Sequence, residues 1–328
     1  MASPLRNPRN ALLLIAFVAG VFYLLAPLKT APPSNKAFGF TDETLPARVR
    51  SYERIYQKVL EGRAKLIQKF GPTPKDVAMF PPDKDPWPPY TVWDFFPPAF
   101  NCPHEIERVG QLGDGGKWVC GLDRLQDKPD CVIYSFGING ESSFEAEVLE
   151  RTQHCQIWGY DFSVRSFGPQ IPTFSLRRTH FKAYGLSGKD SHGPQDKPKM
   201  YTLQSLMEMN GHTHIDLLKI DVESWEFDVL NAFVKPYVES GKPLPFGQLS
   251  IELHLWNRKF PEFLAFWEML EEAGLRPFFQ EMNMVYNNYA KGGEPELSEY
   301  SFLNIKGNNV FVIDPPVYNV HGSRPVDY

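Results

Sequence analysis

The chain has 328 residues, 42% of them hydrophobic and 22% charged, with a net charge of −5. These values exclude a disordered chain and a polytopic membrane protein. The acidic balance also excludes a nucleic-acid binder that works by charge alone. The length admits about two domains, or one domain with appendages.

The N-terminus comes first. Its first 41 residues hold Arg6, Arg9, Lys29 and Lys36 and no acid. Residues 11–28, ALLLIAFVAGVFYLLAPL, carry no charge. Eighteen helical residues span about 27 Å, close to the hydrocarbon thickness of a bilayer. Cleavage as a signal peptide is disfavoured, because Pro27 follows Ala26 and Lys29 stands at −3 of Ala31. The pattern predicts a cytoplasmic tail at 1–10 and a transmembrane signal anchor at 11–28. The charge bias favours a type II single-pass protein of the ER or Golgi, with the bulk of the chain in the lumen.

A stem is expected over 29–99. Within it, Val49, Tyr52, Tyr56, Val59, Leu66 and Phe70 form one helical stripe across residues 47–70. Arg63 interrupts the stripe, and Gly71-Pro72 ends it. Such a helix packs on the domain or self-associates into a homo-oligomer. Residues 72–98 hold nine prolines, so they form neither helix nor central strand. Trp87, Tyr90, Trp93, Phe95 and Phe96 are too aromatic for a solvated linker, so this strap is expected to lie against the domain.

The four cysteines divide into two kinds. Cys102 and Cys120 bracket a segment with the turn Gly113-Asp114-Gly115-Gly116 in its middle, which brings the ends together like a hairpin. A Cys102–Cys120 bridge is expected. Cys131 opens an apolar strand and Cys155 sits at a helix-to-strand junction; both are read as free core thiols. No CxxC or HxxxH spacing supports a zinc site.

From residue 100 to 328 the chain alternates strand-like and helix-like runs. Strands are expected at 131–136, 156–160, 178–184, 214–221 and 248–256, and late strands at 276–283 and 308–314. Helices are expected at 142–152, 202–211, 224–234 and 261–274. This order predicts an α/β domain with a mostly parallel sheet of about seven strands and helices on both faces. Ligands in such sheets bind at the carboxyl ends of the strands.

The motifs fall on those ends. Ser135-Phe136-Gly137-Ile138-Asn139-Gly140 follows the first strand as G-x-x-G, which is either a turn or a cofactor loop. Asp161 ends the second strand, where an acid can accept two hydrogen bonds from ribose hydroxyls. In LLKIDVESWEFDVL, the charges Lys219, Asp221, Glu223 and Glu226 crowd one strand end. Glu252 and His254 share one face of the next strand. His254 is either a satisfied core histidine or a site residue.

The glycine loop, the acid after the second strand and K-I-D-V-E-x-x-E together resemble the class I S-adenosylmethionine-dependent methyltransferases. Among these the chain resembles the FkbM-like group, which carries K-x-D-V-E-G-x-E. More closely, NCPHEIERVGQLGDGGKWVC followed by YSFGINGESSFE resembles the methyltransferase-like 24 group of membrane-anchored proteins. The resemblance covers about residues 100–315. It implies a Rossmann-like fold, with S-adenosylmethionine over Gly137, Asn139 and Gly140, its ribose on Asp161 and its adenine near Gly185-Leu186-Ser187. It implies Asp221 and His254 as candidate bases, with Lys219 and Glu223 tuning them or binding the acceptor. A magnesium ion on Asp221, Glu223 and Glu252 would suit hard oxygen ligands. The acceptor implied is a glycan or small hydroxylated molecule. Two positions depart from the pattern. Ser224 replaces a glycine, and Ser135 replaces an acid whose contact to the methionine ammonium would shift to Glu141 or a backbone carbonyl. Three other readings remain: a metal-dependent lumenal glycosyltransferase, with Asp221-Val222-Glu223 as a D-x-D-like motif; a non-catalytic protein of the same fold; and an NAD-dependent dehydrogenase, which the missing glycines disfavour.

Overall fold

The computed structural model describes residues 42–71, 73–77, 89–256, 258–289 and 295–314. The expected anchor at 11–28 and Trp87 lie outside them. Among the described residues no helix is long and apolar enough to cross a membrane.

Helix α1 (Leu45–Phe70) precedes a hairpin of β1 (Ile106–Val109) and β2 (Lys117–Cys120). Then follow β3 (Val132–Phe136), α2 (Ser143–Arg151), β4 (Gln156–Tyr160), β5 (Thr179–Lys182) and the short pair β6 (Gly185–Leu186) and β7 (Met200–Tyr201). The second half runs α3 (Leu203–Asn210), β8 (Ile215–Ile220), α4 (Glu226–Ser240), β9 (Phe246–His254), α5 (Phe260–Glu272), β10 (Leu275–Met282), α6 (Met284–Tyr289) and β11 (Leu297–Asn304).

Seven strands form one sheet in the order β10-β11-β9-β8-β3-β4-β5. The pairs from β9 to β5 are parallel, and β11 inserts antiparallel between β9 and β10. Strands β8 and β9 are buried along their whole length, as expected for central strands covered on both faces. The order reverses at β3: the chain moves outward through β4 and β5, then returns to place β8 on the other side. A crevice therefore opens at the carboxyl ends of β3 and β8.

The sheet separates two apolar layers. One joins Leu206 of α3, Leu230 of α4 and Trp267 of α5; the other joins Tyr56 of α1, Val148 of α2 and Val119 of the hairpin. Helix α4 extends past the expected end at residue 234 and through Pro236, because Tyr237 and Val238 continue the apolar stripe of Phe227, Leu230 and Val234. Helix α1 touches both layers. Arg63, which breaks its apolar stripe, is itself buried, donates to both Glu271 oxygens at 2.8 and 2.9 Å, and lies over the Phe96 ring. In the described part of the strap, Trp93, Phe95 and Phe96 are buried, and Phe96 meets Phe263 and Trp267 at about 5 Å between ring centres.

Two of the expectations fail. The strand expected at 308–314 is a buried turn. Val312 and Ile313 both donate to the Asn309 carbonyl, and Arg124 caps the Val310 carbonyl, so an apolar run is satisfied without strand pairing. The seventh strand is β11, LSEYSFLN, whose core-facing Tyr300 and Phe302 alternate with polar residues. Cys131 and Cys155 are not free thiols: they form a second disulfide beside Cys102–Cys120. They precede the paired residues Val132 and Gln156 of neighbouring parallel strands, which places their Cα atoms 4.4 Å apart. That register depends on the crossover through α2 and is invisible in the spacing.

Candidate active site

A cavity of about 620 Å³ lies over the carboxyl ends of β3, β4, β8 and β9. Gly137, Asn139, Asp161, Leu186, Asp221, Glu223 and Glu252 all line it. The structure thus brings together seven residues expected from the sequence to serve the site.

The glycine loop is a close approach between two strand ends. Gly137 has φ +77°, and a Cβ there would sit 1.8 Å from the Asp221 carbonyl oxygen. Only glycine fits. Asn139 and Gly140 continue the loop at φ 44° and 74°. Asp161 ties this loop to the next: Oδ2 accepts from the Asn139 N–H, and Oδ1 accepts from the N–H and hydroxyl of Ser163, each at 2.7 Å. A carboxylate has about four acceptor positions. Asp161 therefore has room for about one more hydrogen bond, not the two expected for a ribose.

Ser135 and Glu141 are not cavity residues. Ser135 is fully buried under the loop and its hydroxyl donates to Glu145. Glu145 in turn lies 3.6 Å from Lys219 Nζ, which donates to the Gly137 carbonyl at 3.1 Å. Ser135, Glu145 and Lys219 thus form a buried group that holds the loop from below. Lys219 is accordingly a positioning residue and not a catalytic one. Glu141 is spent on the Ser143 N–H at the start of α2, at 2.7 Å.

The opposite wall is built from charges. Glu252, Glu299 and Glu281 are direct neighbours across β9, β11 and β10. Like charges so placed repel. The hairpin answers two of them: Arg108 pairs with Glu281 at 3.0 Å, and Lys117 bonds Glu299. Lys117 is 2% exposed, and its second contact, to Asp221, is 3.7 Å long. Glu252 has no such cation. It accepts from Asn283 Nδ2 at 2.6 Å. Burial, with Asp221 and Glu299 beside it, pushes its carboxyl up to about 10. Burial also acts to raise Asp221, but Lys117 and Lys219 outweigh it and hold that carboxyl below its usual range. The two neighbouring carboxyls are thus pushed in opposite directions, Glu252 up and Asp221 down.

His254 is fully buried and does not line the cavity. Its Nδ1 lies 3.0 Å from Glu226 Oε1, which also accepts the His254 N–H at 2.8 Å. Nε2 has no hydrogen-bond partner and points toward Glu252 Oε2 at 3.8 Å and Glu223 Oε2 at 3.6 Å. Burial pulls this imidazole down, but Glu226 more than offsets that and raises it. The expected metal set of Asp221, Glu223 and Glu252 is not the set the fold gathers. The Glu223 side chain is 73% exposed on the rim, while donor atoms of Asp221, Glu252 and His254 lie within 4.8 Å of one another. Glu223 and Ser224 both have positive φ, 52° and 76°, which explains the glycine that related motifs place at 224. Sequence reasoning missed Lys117 and Glu299 as parts of this wall, because only β-register brings them to it; Glu226 is among the charges expected at this strand end.

Among relatives, a protein of Rattus norvegicus named "Probable methyltransferase-like protein 24" is 31% identical over 140 residues, covering 41% of this chain and 36% of the relative. The Homo sapiens protein of the same name is 29% identical over 180 residues, covering 51% of this chain and 45% of its own. The aligned part thus spans less than half the length of either relative. The methyltransferase FkbM structure from Methylobacillus flagellatus is 13% identical, covering 53% of this chain and 44% of that one, at a TM-score of 0.29. A likeness that low adds nothing to the family match. With residues 38–293 matching the family Methyltransf_22, a methyltransferase domain, the chain belongs to that methyltransferase family.

Proposed function

We propose that this chain is an S-adenosylmethionine-dependent methyltransferase that acts on a hydroxyl of an uncharged acceptor, such as a glycan or small hydroxylated molecule. The observation that carries this reading is the contact of Gly137 with the Asp221 carbonyl at the reversal point of the sheet, beside Asp161. It leaves a crevice that backbone and one carboxylate can fill with a nucleoside. When bound, the cofactor supplies an electrophilic methyl group on a positively charged sulfur.

The charges of the cavity favour such a ligand. Asp114, Asp161, Asp221, Glu223 and Glu252 line it, and among the described residues no Lys or Arg does. A sulfonium is welcome there; a diphosphate is not. This disfavours the nucleotide-sugar glycosyltransferase. It also disfavours phosphorylated or carboxylated acceptors. The non-catalytic reading rests on Ser135, and cofactor binding without turnover would favour it.

The residues divide the work by position. Lys219, Ser135 and Glu145 fix the loop from below. Trp225, Trp256 and Tyr286 give the acceptor side an aromatic lining. The acceptor hydroxyl donates its hydrogen toward Asp221. With the cofactor held over Gly137, transfer of its methyl group to that oxygen would release the hydroxyl proton, which Asp221 is placed to take. Holding oxygen and methyl in line supplies much of the acceleration.

The two disulfides accord with an oxidising compartment. They support the reading of residues 11–28 as a type II anchor, with the domain in the secretory lumen. The test is a calorimetric titration of S-adenosylmethionine into the purified chain and its Asp161→Ala variant. Loss of a charge-assisted contact weakens binding by about 10- to 150-fold. A folded wild-type chain that does not bind would refute the reading.

A further inference from the structure

We propose that Asp221, Glu252 and Nε2 of His254 form a divalent-cation site in the acceptor wall of the cavity. The inference deepens the methyltransferase reading and stands on separate observations.

The first is charge. Around this wall Glu145, Asp221, Glu223, Glu226, Glu252 and Glu299 face two lysines, Lys117 and Lys219. Of the three glutamates that neighbour one another across the sheet, the hairpin gives a cation to Glu281 and one to Glu299. Glu252, which lines the cavity, has no hairpin cation at ion-pair distance; Lys117 reaches it only from farther away. Lys117 is drawn to Glu299 and stays 3.7 Å from Asp221, so the Asp221–Glu252 edge is open to another positive charge.

The second observation is His254. It is fully buried, its Nε2 makes no hydrogen bond, and that atom lies 3.8 Å from Glu252 and 3.6 Å from the rim carboxylate Glu223, with Asp221 within 4.8 Å. Glu226 holds Nδ1 at 3.0 Å and fixes the ring's direction. A carboxylate behind a histidine whose other nitrogen faces acids is the arrangement by which proteins orient a metal ligand. An ordinary core histidine would have both nitrogens satisfied.

The donor atoms lie within 4.8 Å of one another. Ligand bonds of about 2.0–2.2 Å place neighbouring donors roughly 3 Å apart, so modest side-chain movement closes the site. One imidazole with two carboxylates suits manganese or zinc better than magnesium, which asks for an oxygen octahedron. Asp221 and Glu252 both line the cavity, so the remaining positions of the ion face the acceptor. An acceptor oxygen held there would be positioned and made more acidic.

The probe is Mn²⁺ added to the purified, chelator-treated full chain, followed by electron paramagnetic resonance. The expected result is uptake of one ion per chain, with nitrogen coupling from the imidazole in the bound spectrum. Glu226→Gln weakens the affinity about 10- to 100-fold, as loss of an orienting carboxylate does. His254→Ala removes the nitrogen coupling. Should either variant fail to fold, the nitrogen coupling of the wild-type chain decides alone. A folded chain that takes up no Mn²⁺, or takes it up without nitrogen coupling, overturns the proposal. Titration of S-adenosylmethionine on the same sample separates the two readings. Cofactor binding without Mn²⁺ uptake refutes the cation site alone; Mn²⁺ uptake with nitrogen coupling but no cofactor binding refutes the methyltransferase reading alone.

Discussion

The two walls of the cavity are built by different means. The cofactor wall, after β3 and β4, is made of backbone: a glycine that must lack a Cβ, two more residues at positive φ, and one carboxylate that ties two loops together. The acceptor wall, after β8 and β9, is made of side chains that converge from the hairpin, three strands and the start of α4. A backbone-built wall is local in sequence and accepts one ligand shape. A side-chain wall is non-local and can be retuned one residue at a time. The contrast suits an enzyme whose cofactor is fixed and whose acceptor varies.

The strongest challenge to that contrast is Lys117→Met. It strands Glu299 and Asp221 without their buried cation. Denaturant unfolding should show a loss of about 3–5 kcal/mol. Cofactor affinity in the folded fraction should change by less than about threefold, since Lys117 touches the Asp221 carboxylate and not the carbonyl that meets Gly137. A tenfold fall in that affinity would show that the walls act as one.

On the cofactor side, the double variant Cys131→Ser/Cys155→Ser opens a bridge spanning 24 residues around α2. Chain-entropy arguments put its contribution at about 3.5 kcal/mol. Unfolding of the oxidised wild type and the double variant, compared in the same denaturant series, measures it. Equal midpoints would remove the disulfide from the account.

The smallest effect expected is a gain. Ser224 sits at φ +76° in the turn that carries Glu223. A left-handed L-residue costs roughly 1–2 kcal/mol, and glycine returns part of that as backbone entropy. Ser224→Gly should therefore stabilise the chain by roughly 0.5–1 kcal/mol in thermal or denaturant unfolding. Destabilisation would mean that the serine makes a contact that outweighs the strain.

The same contrast explains what the sequence disclosed. The βαβ order, the Gly137 loop, Asp161 and Asp221 were all legible, because each lies at a strand end within a short motif. Helix α1 and the aromatic strap were legible from periodicity and composition, though Arg63 looked like a defect when it is a buried ion pair. Strand β11 was not legible: LSEYSFLN spends half its residues on the hairpin-covered face, so its hydrophobicity falls below that of VFVI, a run that packs as a turn. The Cys131–Cys155 bridge, Lys117 and Glu299 were invisible for one reason. Each depends on which residues stand opposite one another across strands distant in sequence. Ser135 was misplaced because a strand's alternation does not say which face meets the ligand, and Glu141 because its bond to the Ser143 N–H is not visible in the motif.

Amide hydrogen exchange with S-adenosylhomocysteine tests the central claim, that the backbone-built wall is where the cofactor lies. The account predicts slower exchange in peptides covering Gly137–Glu141, Asp161–Ser163 and Gly185–Ser187, with β10 and β11 unchanged. Protection confined to the acceptor wall, from Glu252 to Tyr286, or no protection in a folded chain, would contradict it.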